Sequence, residues 1–298
     1  MEENYTNVNA EKDFLETYCQ NDYDRPSDAV DMVIFTIKNE EVSDVRKLAK
    51  KNLSLLLVKR GEFPFKDYWA LPGGFVRKGE TLEDAAYREL KEETGVDHVY
   101  LSQLHNFSKP DRDPRGWIIS NAFLTLAEES LFHLQSGSDA SDAKWFCVNY
   151  NEIGSNVETT TLGKISKRRY QLQLIHKDEG LHAIIEVRTQ YESCRMKQEL
   201  VVIESKGLAF DHAEIIGYAM NHLRKTVNDS MLAFELMPEY FTLTNLQQVY
   251  ETIIGSELLP SNFRRKISDY VMETNERVEG VGHRPSKLFK RNLDKLFD

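Results

Sequence analysis

Between Leu71 and Val96 the chain carries two adjacent glycines, a short loop and a helix with marked ends, and this segment limits the fold more than any other. Gly73-Gly74 after Pro72 requires a tight loop, because adjacent glycines reach backbone angles closed to other residues. Thr81, with Asp84 three positions on, has the form of a capping box, and Gly95 stands where a left-handed C-terminal cap belongs. Leu82, Ala85, Ala86 and Leu90 recur at helical spacing, so one face packs on a sheet, and the alanines permit close approach. Glu89, Glu92 and Glu93 lie at i, i+3 and i+4 on another face. Like charges so spaced cost a helix about 0.2–0.5 kcal/mol per pair, so a counter-ion is expected, either Arg88 or a metal. Hard divalent cations such as Mg²⁺ suit such oxygens together with phosphate.

Around this helix the pattern is that of a sheet. Met32–Ile37 and Leu53–Val58 are short, apolar and partly β-branched, and read as buried strands; further strands are expected at Val99–Phe107, Ile118–Leu126 and Lys144–Val148. Partial alternation from Arg169 to Glu204 indicates extra antiparallel strands forming an inserted sheet at about 157–206. A helix is expected at Asp211–Lys225, with Ile215, Ile216, Ala219, Met220 and Leu223 buried. Two helices, Leu243–Ile254 and Pro260–Met272, then flank a Gly255-Ser256 break, as a helix-turn-helix requires, and Val278–Pro285 supplies a glycine-rich wing. The expected division is an arm at 1–26, a short helix around Phe14, Leu15 and Tyr18 or an extended segment, then an α/β domain at 27–226 and a winged-helix domain at 227–298.

Composition excludes several classes. At 298 residues, 41% hydrophobic, the chain is long enough for two cores, and no long uncharged apolar run exists to span a membrane. The acidic start lacks a secretory pattern, so a cytoplasmic location is expected. The three cysteines, widely spaced and odd in number, suit neither a disulfide framework nor a metal knuckle. A net charge of -10 opposes general nucleic-acid binding and demands a local basic patch. From Arg264 onward nine cations face six acids. Asn262, Arg264 and Arg265 on the second helix, with Arg284 and Lys287 in the wing, are the candidate DNA contacts.

An acid-rich helix face alone fits a solvated surface. The full order is more specific: Gly74, five residues, Glu80, seven residues, Arg88-Glu89-Leu90, one residue, Glu92-Glu93, one residue, Gly95-Val96 resembles the Nudix hydrolase signature at every defined position. That resemblance implies an α/β/α sandwich with a mixed sheet and a hydrolase of nucleoside diphosphate derivatives using Mg²⁺ or Mn²⁺. It implies metal ligation by Glu89, Glu92, Glu93 and the Gly74 carbonyl, with Arg88 and Glu80 holding the helix geometry. An acid that deprotonates water is sought in Asp139 and Asp142, with Glu128 and Glu129 as alternatives. The stretch Asp111-Arg112-Asp113-Pro114-Arg115-Gly116 resembles ADP-ribose-related Nudix proteins and offers Arg112 and Arg115 to phosphate or ribose. It is equally a good β-turn whose arginines pair with neighbouring aspartates. Phe107 and Trp117 beside it are candidates for stacking on adenine. Leu208–His212, Met237–Leu243 and Asn262–Lys266 resemble Nudix-related transcriptional regulators, which implies a homodimer, operator DNA and an ADP-ribose effector. Hydrolysis of ADP-ribose or a similar compound is the first expectation, because the signature is intact; ligand-sensing DNA binding is the alternative.

Overall fold

The computed structural model describes residues 2–19, 22–40, 49–96, 98–132, 143–161, 163–177, 179–229, 231–277 and 286–296. Its centre is strand β1 (Ser27–Asn39), which pairs antiparallel with β2 (Lys51–Lys59) and parallel with a later strand, Ile118–Leu126. Between them come the short β3 (Trp69–Ala70) on β2, β4 (Gly73–Phe75) on β1, and β5 (Tyr100–Phe107), which pairs antiparallel with Ile118–Leu126, here β6. The sheet is therefore mixed. β1 is buried on both faces, and its side chains alternate between two cores. Val30, Met32 and Ile34 pack with Ala85, Ala86 and Leu90 of helix α2 (Leu82–Thr94). Val33, Phe35 and Ile37 face the opposite core, which contains Ile215, Ile216 and Leu223 of helix α3 (His212–Thr226). Helices on both faces of a mixed sheet give the α/β/α sandwich.

The N-terminal segment is a helix, α1 (Glu2–Thr17), with Phe14 and Leu15 exposed. The expected inserted sheet is not separate. β7 (Ala143–Thr159) pairs with β2 through its first residues and continues outward, and β8 (Gly163–His176), β9 (Glu179–Glu192) and β10 (Arg195–Lys206) add in sequence, so one ten-stranded sheet results. The outer part of β7 is polar and exposed, which is why apolar patterning ends it at Val148.

Helices α4 (Leu243–Ile254) and α5 (Pro260–Ile267) follow, then β11 (Val271–Arg277) and β12 (Lys287–Arg291) as an antiparallel pair. The second helix is shorter than the expected Pro260–Met272: a 3-10 turn spans Ser268–Tyr270, and Val271 and Met272 pair with Arg291 and Lys290. Leu246, Val249, Tyr250, Ile253 and Phe263 share one apolar cluster with the α3 side of the sheet, so this module rests on the sandwich. Among the described residues no helix is long and apolar enough to cross a membrane.

Candidate functional site

Gly73 and Gly74, expected in a tight loop, instead form strand β4 with Phe75 and pair with β1 beside α2; neither has a positive φ. Gly73 pairs with Asp31 and Gly74 with Val30. A β-carbon on Gly73 would stand 2.2 Å from the Val30 carbonyl oxygen, and one on Gly74 would stand 2.2 Å from Glu89 Oε1. The first glycine admits the neighbouring strand, and the second admits a carboxylate. The helix behind them is capped as expected: Thr81 Oγ1 accepts from the Asp84 N–H at 3.1 Å, Asp84 Oδ2 accepts from the Thr81 N–H at 3.0 Å, and Gly95 adopts φ 73°.

Arg88 organises the acids. Its Nε donates to Glu80 Oε1 at 2.7 Å, its Nη2 to Glu80 Oε2 and the Phe75 carbonyl, each at 3.1 Å, and its Nη1 to Glu89. Arg88 and the Arg77 N–H hold the Glu80 carboxyl down to about 2. The expectation that the three glutamates emerge together is corrected here. Glu89 is buried under Gly74 and held by Arg88, Glu92 turns to solvent 3.6 Å from Arg77 and 3.7 Å from Arg88, and Glu93 faces a cavity. Among the described residues, no three carboxylate, imidazole or thiol groups converge to hold a metal ion as they stand. Burial raises the Glu89 carboxyl, against Arg88; burial raises Glu93 too, with the charges of Glu89 and Glu92 adding to it. Such carboxylates are under-compensated, and a cation beside them would relieve that.

The cavity measures about 550 Å³ and lies between β1, β4, the Arg60–Glu62 turn, the Arg112–Arg115 loop and the residues at the start of α3. Arg115 lines it, donating to Asp113 at 2.7 Å while its guanidinium sits 5.1 Å from the Phe75 ring and 5.4 Å from Phe210. Arg60 approaches the same Phe210 ring at 4.8 Å. Arg60 is lowered by burial first and by the charge of Arg115 second, as expected for two cations crowding one wall. Arg112 behaves differently. Its guanidinium is 4% exposed and is taken up by Asp211, at 2.8 and 2.7 Å, and by Asp31 at 3.3 Å, so it fastens α3 to the sheet. Of the two expected ligand arginines, Arg115 alone has a half-exposed head. Phe107 is buried in the core, and Trp117, though exposed, does not line the cavity. Arg60, Phe75 and Phe210 escaped the sequence reading, since nothing local marks side chains brought together from three loops.

His212 closes the cavity floor. Its Nδ1 accepts from the Leu71 N–H at 2.8 Å, and its Nε2 lies 3.5 Å from Asp31 Oδ1. Full burial lowers its pKa despite Asp31 and Asp211, so it is neutral in the folded chain. An unfolded imidazole titrates near 6.5, so the unfolded state takes up an extra proton below that value. Stability is therefore complete above about pH 6.5 and falls as the pH drops below it, by up to about 1.4 kcal/mol per pH unit. Denaturant titrations from pH 7.5 to 5 should show this slope in the wild type and a shallower one in H212Q, where His222, also lowered by burial, still contributes.

Glu128 and Glu129 stand at the other end of the sheet. β6 runs parallel to β1 from Ser27↔Ile118 to Phe35↔Leu126, so these acids follow the end remote from Gly73 and Gly74; Glu129 pairs with Lys38 at 3.0 Å. They are not within reach of the cavity. Asp139 and Asp142 lie outside the described residues, as do Arg284 and the wing tip. On α5, Phe263 and Ile267 are buried while Asn262, Arg264 and Arg265 are exposed, and neither arginine has a side-chain partner among the described residues. Lys287, on β12, is paired with Glu273.

Two family models match the chain, the NUDIX domain over residues 38–160 and the NrtR DNA-binding winged helix domain over residues 233–290. The chain thus combines a Nudix domain with an NrtR-type winged helix domain. Along 287 residues it is 29% identical to the ADPR responsive transcriptional repressor NtrR of Acinetobacter baylyi, covering 95% of this chain and 89% of that one. The ADP-ribose pyrophosphatase of Methanocaldococcus jannaschii is 46% identical over 104 residues, covering 34% of this chain and 59% of that protein. Shewanella oneidensis NrtR, crystallised with a 27mer DNA, superposes with a TM-score of 0.55 at 25% identity, over 89% of this chain and 94% of that chain. Both the Nudix domain and the winged helix thus fall where the fold shows a sandwich and a helical module resting on it.

Proposed function

We propose that this chain is a DNA-binding transcriptional regulator whose Nudix cavity takes ADP-ribose or a related nucleoside diphosphate derivative. The observation that carries the reading is the α5 surface: Arg264 and Arg265 are exposed, unpaired among the described residues and on a helix without an acid, inside the segment that matches the NrtR winged helix. In a chain of net charge -10 such a patch needs a reason, and the phosphates of operator DNA supply one. The full-length likeness to a protein named as an ADPR responsive repressor supports the same ligand. Arg60 and Arg115 are the cations that would meet its diphosphate, with Phe75 and Phe210 as apolar walls. Operators of two half-sites require two copies, so the working form is a homodimer. Wild-type protein should bind a palindromic fragment from upstream of its own gene, with affinity falling steeply as salt rises. Binding indifferent to sequence and salt would sink the reading.

Hydrolysis, which the intact signature put first, is the second reading. The 46% identity to an ADP-ribose pyrophosphatase over 104 residues favours it, and the likeness to a repressor along 287 residues is why it is second. The donor set suits Mg²⁺ or Mn²⁺: hard oxygens, two under-compensated carboxyls and a side-chain-free Gly74. Glu89, Glu92, Glu93 and the Gly74 carbonyl would hold the ion once Glu89 yields part of its bond to Arg88, while Glu80 keeps Arg88 in place. When bound, the ion would neutralise diphosphate charge and acidify water. Arg115 would orient the phosphates. Release of AMP from ADP-ribose in Mg²⁺, abolished in E92Q and in E93Q with the fold intact, is the expected result. No release from a broad panel of nucleoside diphosphate compounds would remove the hydrolase reading and leave the sensor.

A further inference from the structure

Helix α3 touches the cavity at one end and the winged helix at the other. At its start, Phe210 lies between the guanidiniums of Arg60 and Arg115, at 4.8 and 5.4 Å, and against Phe65 at 4.7 Å. Phe210 has φ 50°, and Gly207 three residues earlier has φ 86°. A left-handed phenylalanine is strained, and its neighbourhood must hold it there. The two left-handed residues bracket the turn between β10 and α3, whose middle is bonded to Trp69 of β3. Asp211 and His212, the next two residues, tie the helix to Arg112 and to the Leu71 N–H.

Some 18 Å along the helix, by its rise of about 1.5 Å per residue, stands Arg224. Its Nε donates to the carbonyl of Ile253, in the last turn of α4, at 3.0 Å, and its Nη2 donates to the Tyr150 carbonyl on β7 at 2.5 Å. Its guanidinium sits 5.1 Å from the Tyr150 ring, and it has no carboxylate partner among the described residues. One fork thus joins the sandwich to the first helix of the winged module. Nearby, Thr252 Oγ1 donates to the Lys51 carbonyl at 3.0 Å. Beside the shared apolar packing of α3 and α4, an open cleft of about 400 Å³ runs between β2, β7, α3 and α4, and Oε1 of Gln248 on its wall is buried without a hydrogen-bond partner. The polar rim of this junction, one fork and one hydroxyl onto carbonyls beside an open cleft, has room for a second arrangement.

We propose that α3 carries occupancy of the Nudix cavity to the winged helix, with Phe210 as the trigger and Arg224 as the residue that positions α4. This rests on the regulator reading above. A diphosphate drawn to Arg60 and Arg115 competes with the ring that both guanidiniums now flank. Phe210 then leaves its strained conformation and the start of α3 shifts. Because α3 is a stiff element with Ile215, Ile216, Ala219 and Leu223 packed in the core, the displacement reaches Arg224 as a rigid movement. Arg224 transfers it to the end of α4, and α5 follows.

The test uses the full chain and fluorescence anisotropy on a labelled operator fragment, with and without ADP-ribose. In the wild type, ADP-ribose should change the DNA dissociation constant by about tenfold or more, and DNA should change the ADP-ribose affinity by the same factor. In R224Q that factor should fall below about twofold, while ADP-ribose affinity without DNA and DNA affinity without ADP-ribose each stay within about threefold of wild type. R224K keeps the charge but not the fork, so it should lose most of the coupling as well. If both Arg224 variants misfold, T252V is read the same way and should reduce the factor. A wild-type factor in a folded variant overturns the proposal alone, as does equal loss of both separate affinities, which would mark Arg224 as merely structural. A factor of one in the wild type overturns the proposal together with the reading beneath it.

Discussion

Replacing Arg264 and Arg265 together with alanine should weaken operator binding on the order of a hundredfold or more, at about 1–3 kcal/mol per arginine, and flatten its salt dependence. The effect should be confined to DNA. α5 is anchored by Phe263, whose ring stacks edge-on to Tyr250 at 5.2 Å, and by Ile267 one turn later; the arginines between them are exposed and bond to no side chain among the described residues. Thermal unfolding and ADP-ribose binding should therefore stay at wild-type values. Anisotropy titrations from 50 to 200 mM salt check this. A double variant that binds as tightly as wild type would move the DNA contact elsewhere on the module.

Alanine at the two adjacent glycines should give two different losses. In G73A the new methyl meets the backbone oxygen of Val30 in the central strand, with Asp31 Cα at 3.1 Å, and neither has anywhere to go. Overpacking against fixed backbone costs about 1–3 kcal/mol, so the melting temperature should drop by several degrees. In G74A the obstacle is the far end of the Glu89 side chain, which swings aside at small cost. The fold should then melt near the wild-type temperature, but Glu89 and its bond to Arg88 are displaced. The Mg²⁺-dependent part of the stabilisation by ADP-ribose should vanish. Differential scanning calorimetry with and without ligand and metal separates the cases. Identical behaviour of the two variants would mean that the Glu89 pocket has no part in ligand binding.

What could be read from the sequence was what is local. The capping box of Thr81 and Asp84, the left-handed Gly95 and the apolar face of α2 all follow from residues within one or two turns of each other, and each is present. The carboxylate spacing was legible too, but not the fate of the carboxylates, because Arg88 can serve Glu80 and Glu89 at once only when the loop brings Glu80 back to the helix. The Arg112–Asp211 pair joins residues 99 apart, so an arginine that looked like a ligand group in its turn became a fastening for α3. The end of α5 was missed for a related reason: pairing of Val271 and Met272 with β12, twenty residues further on, outweighs a helical pattern that continues in the sequence. The polar outer part of β7 hid the continuity of the sheet, since alternation says which side is apolar but not which strand is the neighbour.

The most direct test of the account is the dissociation constant of the full chain for a palindromic fragment from upstream of its own gene, at one fixed salt concentration, with and without saturating ADP-ribose. Tight binding that ADP-ribose weakens by about tenfold or more is the expected result. The same constant in both conditions, or one equal to that for unrelated DNA, would contradict it.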